Sequence, residues 1–346
     1  MRIVFIENEP SPYMDVWFKS ISQKYDLTVI YSDEVNKGHP WGNFKGYNGF
    51  FSKKITLNDL RRIVKNGDMV IAAGWVRLYS MMSMLFGFYY HKKTIMTTDY
   101  PFHSKPIFDF FKRYFLYKRL DYIFCATRTT VSLLEKNFGD IVEGKLKFFP
   151  YGIETKTALR QNVDANKKEI SILVATNFLP RKGHKVLMEA LKELDKTEDA
   201  HNYCFTFIGQ GETLGECKEI ASHLKIKTQF LGWVENDIYK KLLDETDVYI
   251  HPSIEEPFGI PPVDAMCRGK VVIVCDGVMS LNGLIKQGVN GYRYSSPINN
   301  PNASLELFEI LKNLDRSSFN SIGVKAHDDA VRYFSMDQYV DMIDTL

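Results

Sequence analysis

The stretch Val248-Tyr249-Ile250-His251-Pro252-Ser253-Ile254-Glu255-Glu256-Pro257-Phe258-Gly259-Ile260-Pro261-Pro262-Val263-Asp264-Ala265-Met266 joins an apolar run, a loop bearing two carboxylates and the start of a helix. The run Val248–His251 predicts a buried strand. Gly259 lets the backbone approach a ligand closely. Free N–H groups at the start of the helix can bind phosphate. Asp264, eight residues after Glu256, stands in the first turns of that helix, where a carboxylate can accept hydrogen bonds from a ribose diol. Glu256, in the loop, can accept them from the hydroxyls of a sugar. Acidic groups at a helix start also favour its dipole without any ligand, so the residues alone leave both readings open.

The same strand-then-helix unit recurs along the chain. Arg2–Ile6, Leu27–Tyr31, Met69–Ala73, Lys93–Thr97 and Tyr122–Ala126 read as strands, with helical segments such as Asp15–Lys24 between them. A polar stretch without apolar periodicity, Tyr151 to Lys168, interrupts the alternation and reads as a linker. Strands then resume at Ile170–Ala175, Tyr203–Ile208, Gln229–Leu231, Val248–His251 and Val271–Cys275, with helices at Lys185–Leu194 and Leu214–Leu224. Alternation of this kind predicts parallel, doubly wound sheets. Ligands of such sheets bind at the C-terminal ends of the strands. With 346 residues, two α/β domains facing across a cleft are expected.

Composition excludes several classes. No run approaches the roughly 18–20 apolar residues of a membrane span; the longest, Leu78 to Tyr90, is interrupted by Ser, Gly and Tyr. The opening apolar run is too short for a secretory leader. The five cysteines form no C-x-x-C pair and sit mostly in apolar runs, as expected of reduced thiols in a cytoplasmic protein. The net charge of +2 hides an asymmetry: residues 1–150 carry 22 Lys and Arg against 14 Asp and Glu, and the remainder 22 against 28. A basic first half suits an anionic surface.

Three further loops carry candidate chemistry. Thr176-Asn177-Phe178-Leu179-Pro180-Arg181-Lys182-Gly183 is a basic loop between a strand and a helix. Ile208-Gly209-Gln210-Gly211, with Gly215, is a weak look-alike of a dinucleotide-binding turn, placed too late in the chain to open a domain. Phe230-Leu231-Gly232-Trp233-Val234 carries an indole that could stack on a base or cover a cleft. There is no Asp-x-Asp and no zinc-type cluster, so no metal and no cofactor is demanded.

These motifs together resemble those of glycosyltransferase family 4, over about half the chain. The Glu256 stretch is similar to that family's P-S-x-x-E-x-F-G-x-x-x-x-E-A-M-A-x-G signature. Glu256 stands at its first Glu and Asp264 at its second, while Phe258, Gly259, Ala265, Met266 and Gly269 match. The basic loop resembles G-R-L-x-x-x-K-G, with Lys182 at the Lys, Asn177 at the Arg, and Arg181 beside it. Phe230–Val234 resembles F-x-G-x-V, and Phe148–Ile153 fits the junction between the family's domains. The resemblance implies a GT-B fold. An acceptor-binding domain spans residues 1–155, a linker 156–168 and a nucleotide-sugar-binding domain 169–327, with a helical tail, 328–346, packing back towards the first domain. It implies a retaining transfer in which Glu256 holds the sugar, Asp264 the ribose and Lys182 the leaving diphosphate. Gly209, Trp233, Val234, Phe258, Gly259 and Ile260 would frame the donor beside Asn177 and Arg181. Asp99 falls where the family often has a His; it could orient an acceptor hydroxyl or cap the next helix. Ser11, Tyr13 and Tyr100 would lie on the acceptor side.

The implied partners are a nucleotide-sugar, with UDP the commonest base, and a glycan or lipid-linked acceptor. No nucleic-acid motif is present. From Phe102 to Leu120 aromatic and basic residues interleave, which suits either an anionic membrane surface on the inner face of the cell membrane or a core helix with a solvated edge. An epimerase or hydrolase of the same fold, and a non-catalytic sugar-nucleotide-binding protein, are the competing readings. The departures at Asn177 and Asp264 keep the last one open.

Overall fold

The computed structural model describes residues 1–32, 46–99, 114–153 and 168–346. The chain divides into two compact units, Met1–Ile153 with Phe334–Leu346, and Glu154–Tyr333.

The first unit is built on β1 (Arg2–Glu7), β2 (Asp26–Tyr31), β3 (Asn48–Phe51), β4 (Met69–Ala73), β5 (Lys93–Thr98), β6 (Tyr122–Cys125) and β7 (Leu146–Phe148). All pair in parallel, in the order β3-β2-β1-β4-β5-β6-β7. The helices α1 (Pro12–Ser22), α2 (Leu57–Asn66), α3 (Leu78–Tyr89) and α4 (Arg128–Phe138) alternate with them. Local sequence explains their starts: Ser11 caps α1 through the Met14 N–H, and Thr56 and Asp59 form a reciprocal capping box on α2. Strand β4 is buried along its whole length, as expected where helices cover both faces of a parallel sheet. Two apolar layers flank the sheet, one around Phe5, Trp17, Phe18 and Phe149, the other around Ile6, Leu60, Met84 and Ile123.

The second unit repeats the plan with β8 (Ile170–Ala175), β9 (Tyr203–Ile208), β10 (Lys227–Gly232), β11 (Val248–His251), β12 (Val271–Cys275) and β13 (Tyr292–Tyr294), again parallel, in the order β10-β9-β8-β11-β12-β13. Its helices are α5 (His184–Leu194), α6 (Leu214–Ser222), α7 (Asn236–Glu245), α8 (Ile260–Cys267), α9 (Ala303–Lys312) and α10 (Phe319–Phe334). A last helix, α11 (Asp337–Asp344), belongs to the first unit. Its Tyr339, Val340 and Ile343, with Met336 just before it, join the layer around Trp17 and Phe149. Helix α10 belongs to the second unit up to Tyr333, and the chain joins the first unit from Phe334 onward.

Each sheet reverses its strand order once, between β1 and β4 and between β8 and β11. Those are the switch points at which doubly wound sheets bind ligands. Much of the predicted linker, and the stretch from Phe102 to Arg113 with Tyr100, lie outside the described residues. Of the remainder, Tyr117 and Leu120 are buried in the core while Tyr114 and Phe115 are exposed, with Arg119 stacked 3.6 Å over the Phe115 ring.

Candidate functional site

The strands flanking the switch point of the second unit, β8 and β11, lead into the loops that carry Lys182 and Glu256. Although these two residues are 74 positions apart, the Lys182 ammonium donates directly to Glu256 Oε2. The loops are tied together by backbone as well: Ile254 and Glu255 N–H groups reach Arg181 O at 3.0 and 3.3 Å, and Arg181 Nη1 donates to Glu255 O at 3.1 Å. Arg181 therefore fixes the carboxylate loop. Gly183, at φ +70°, makes the approach feasible, since a Cβ there would lie 1.9 Å from Pro252 O.

Glu256 Oε2 has two more donors, His251 Nε2 at 3.1 Å and Ser253 Oγ at 3.3 Å. Burial alone would raise the pKa of Glu256, but His251 and Lys182 outweigh it and hold it down to about 2. Burial keeps the His251 imidazole neutral, so it donates through Nε2–H. All three donors converge on one oxygen, and no described residue binds Oε1. A locked, ionised carboxylate with one open oxygen is what a hydrogen-bonding contact to a sugar hydroxyl requires. Behind it His184 is stacked on Phe178 at 4.0 Å, buried, with neither ring nitrogen paired and its pKa pushed down to about 3 by burial and by the nearby His251 and Lys182. His251, Ser253 and His184 were not legible as site residues in the sequence. For His251 and Ser253 the available signal was position alone, at the end of a buried strand and two residues past it.

Asp264 sits one turn into α8 and is engaged: Arg268 Nε lies 3.5 Å from Oδ1, and Arg268 Nη1 also binds Asp244 at 2.5 Å. Burial raises the Asp264 pKa against the pull of Arg268 and Lys240. The carboxylate is oriented by its own helix. Among the other predicted donor residues, Asn177 is exposed after β8, and the β8 and β9 loops zip together through Thr176 N to Ile208 O and Phe178 N to Gln210 O. Gly209 N–H bonds Gly232 O at 2.8 Å, which brings the Trp233–Val234 turn alongside; Trp233 is exposed. Gly259 caps α8 in a left-handed conformation with Ile260 first in the helix, whereas the Phe258 side chain is buried in the core.

In the first unit, Ser11, Tyr13 and Asp99 lie at the C-terminal edge of its sheet. Tyr151 donates to Asp99 Oδ2 at 3.2 Å, and the Tyr13 and Tyr151 rings meet edge to face at 5.3 Å. Asp99 O accepts from Thr130 Oγ1 at 2.5 Å. The end of β1 adds Glu7, which sequence reasoning passed over. Burial, reinforced by Asp99 and Glu9 and only partly offset by the Asn8 N–H, raises its pKa to about 8. The folded chain therefore binds this proton more tightly than the unfolded chain does. The stability it contributes is full below about pH 4.5 and is lost as pH rises towards 8. A Glu7→Gln variant is expected to gain stability over the parent as pH climbs from 5 to 8; urea melts at three pH values showing a constant difference would contradict this.

Residues 155–320 match the family model of "Glycosyl transferases group 1". An uncharacterized glycosyltransferase of Methanocaldococcus jannaschii is 33% identical over 140 residues, 40% of this chain and 35% of that protein. The Campylobacter jejuni N,N'-diacetylbacillosaminyl-diphospho-undecaprenol alpha-1,3-N-acetylgalactosaminyltransferase is 26% identical over 132 residues, 38% of this chain and 33% of that one. The chain thus spans about a third of the length of these curated relatives. Among solved structures, Anabaena HepE in complex with UDP and glucose superposes with a TM-score of 0.74 at 18% identity, covering all of both chains. The lipopolysaccharide outer core galactosyltransferase WaaB superposes at 0.73 with 16% identity, covering 100% of this chain and 98% of that one. These likenesses establish the GT-B fold, with its two Rossmann-like units.

Proposed function

We propose that the protein is a retaining glycosyltransferase of the family 4 type. It moves a hexosyl or N-acetylhexosaminyl group from a UDP-sugar to a glycan or lipid-linked acceptor in the making of a surface polysaccharide or glycolipid. The observation that carries this reading is the Lys182–Glu256 pair at the switch point of the second unit. Its relatives and structural neighbours include transferases and a UDP complex, which favours this donor class.

In this reading Glu256 Oε1 accepts from a hydroxyl of the transferred sugar. Lys182 turns part of its charge to the diphosphate as negative charge develops on it in the transition state. The acceptor oxygen attacks from the face the diphosphate leaves, and the departing phosphate oxygen takes the acceptor proton, so no dedicated base is required. Lys182 does the electrostatic work that a divalent ion does in other transferases, and the reaction needs no metal or other cofactor. Asp264 binds the ribose, and Trp233 and Val234 border the base. Asp99, with Tyr13 and Ser11, receives the acceptor. The basic first unit rests on an anionic membrane surface where lipid-linked acceptors reside.

A thermal-shift series with UDP-, GDP- and ADP-sugars tests the donor assignment. A ligand at 100 times its Kd stabilises by about 2.7 kcal/mol, which is a rise of roughly 5–10 °C for a unit of this size. The expected result is a rise with UDP-sugars and none with the other two. Donor consumption without acceptor would instead support an epimerase or hydrolase, and binding without turnover under any acceptor a sugar-nucleotide-binding protein.

A further inference from the structure

Helix α3 carries apolar residues on its outer face as well as on the face it turns to the core. It is twelve residues long without a single charge. Its inward face already supplies the core: Ser80, Ser83, Met84 and Gly87 are buried, and Tyr79, Met82, Phe86 and Phe88 pack beside them. Contact there is close, since a Cβ on Gly87 would lie 2.4 Å from Thr94 Oγ1. Four further large residues point outward. Leu78, Met81, Leu85 and Tyr89 recur at helical spacing in one stripe and are 54%, 43%, 43% and 69% exposed, with Val76 just ahead of them at 75%. A surface helix normally turns its apolar stripe to the core and its charges to solvent. A helix apolar all round needs an apolar environment on its outer face too. The stripe runs about 18 Å, which makes a contiguous patch rather than scattered exposure.

Cations stand at both ends of the stripe. At the start, Arg77 precedes the helix, and the Tyr79 hydroxyl bonds Ile55 O at 2.7 Å, which sets exposed Lys53 and Lys54 beside it. At the end, Arg61 Nε bonds the Tyr90 hydroxyl at 2.6 Å, Lys65 lies 6.0 Å from the same ring, and Lys92 follows. The one acidic residue of α2, Asp59, is already paired with Arg62 and Thr56. An apolar stripe between positive ends matches an anionic bilayer surface. Apolar side chains enter the acyl boundary there while Lys and Arg meet the headgroups. A protein partner apolar enough to fill the stripe would not account for cations at both ends.

We propose that the outward face of α3, with the cations of α2 and the Ser52–Lys54 turn, is the surface by which this protein lies on anionic membranes. Among the described residues no helix is long and apolar enough to cross a membrane, so this is contact in the plane of the interface. The purpose of that contact rests on the lipid-linked-acceptor reading above, but the binding itself does not.

The test is co-sedimentation of the full chain with phosphatidylcholine vesicles, with and without phosphatidylglycerol, across a salt series. The parent should bind the anionic vesicles at least tenfold more tightly. Met81→Glu with Leu85→Glu should lose at least tenfold at every salt concentration, and the milder Leu85→Ser a smaller part if the double change does not fold. Arg61→Gln with Lys65→Gln should lose about fivefold per charge at low salt and converge with the parent at high salt. Parent protein that ignores anionic vesicles overturns the proposal. So do apolar-stripe variants that bind as well as the parent, and a self-associating parent whose dissociation by Leu85→Ser leaves vesicle binding unchanged. Turnover of a water-soluble acceptor is followed in the same samples. If turnover is absent throughout, the transferase reading fails while the vesicle result stands.

Discussion

Glu256→Gln is expected to lower turnover roughly a hundred- to a thousandfold, the usual effect of removing a preorganised transition-state contact. Lys182→Met should do the same. Each single change also leaves a nearly enclosed charge without its counter-ion, Glu256 keeping only the neutral donors His251 and Ser253. Breaking such a pair costs about 3–5 kcal/mol, whereas replacing both partners is often close to neutral. The discriminating experiment is therefore a cycle with the double variant Lys182→Met, Glu256→Gln. Its melting temperature should recover most of the loss seen in the singles, while its turnover stays as low as theirs. Recovery of both would mean that the pair is a structural tie and that the sugar site lies elsewhere. Full activity in either single variant with the proper donor would remove the assignment altogether. Acid provides a second check on the pair. The Glu256 pKa is depressed from 4.5 to about 2, so its stabilising contribution is complete above the higher value and is lost as pH falls through the lower one.

The strands that sequence makes legible are the ones buried on both faces. β4, β11 and β12 are continuous apolar runs because helices cover the sheet above and below, and their bounds coincide with the runs. Those it hides are β3, β7 and β13, of three or four residues, which lie at the sheet margins and are only partly buried. There the hydrophobic pattern is too short to rise above its surroundings, and pairing with a neighbour supplies what the pattern does not. The site divides in the same way. Lys182 and Glu256 could be singled out because their loops follow buried strands and resemble the basic-loop and paired-carboxylate motifs of one family, while the charges alone left the solvated reading open. Their meeting depends on β8 and β11 being neighbours, and strand order is a property of the whole sheet. His251, Ser253 and His184 gave less warning still. A His closing an apolar strand, a Ser in the loop after it or a His opening a helix reads like any other residue there until the side chain it supports is seen. The same holds for α3. Its sequence shows an apolar run, but only the fold reveals that Met82, Met84, Phe86 and Phe88 serve the core while Leu78, Met81, Leu85 and Tyr89 face outward.

Gly183→Ala should destabilise the second unit and silence the site together. At φ +70° any other residue is strained by about 1–2 kcal/mol. The larger cost is steric, because the new methyl group would sit 1.9 Å from the carbonyl oxygen of Pro252, and backbone cannot rotate away as a side chain does. Relief requires the loops after β8 and β11 to separate, against the bonds from Ile254 and Glu255 to Arg181 O. A total of roughly 3 kcal/mol is expected, or a fall in melting temperature of about 6–12 °C. Separation also draws Lys182 from Glu256, since Lys182 is the residue before the strained one and Pro252 stands four before the carboxylate. Catalysis should therefore fall by the same order as in Glu256→Gln even where the protein is fully folded, at temperatures well below the transition. A variant that melts early but turns over normally when cold would show that the glycine serves the fold alone. One that melts normally would show that the two loops can part freely, and would deny the carboxylate the rigid placement on which its proposed role depends.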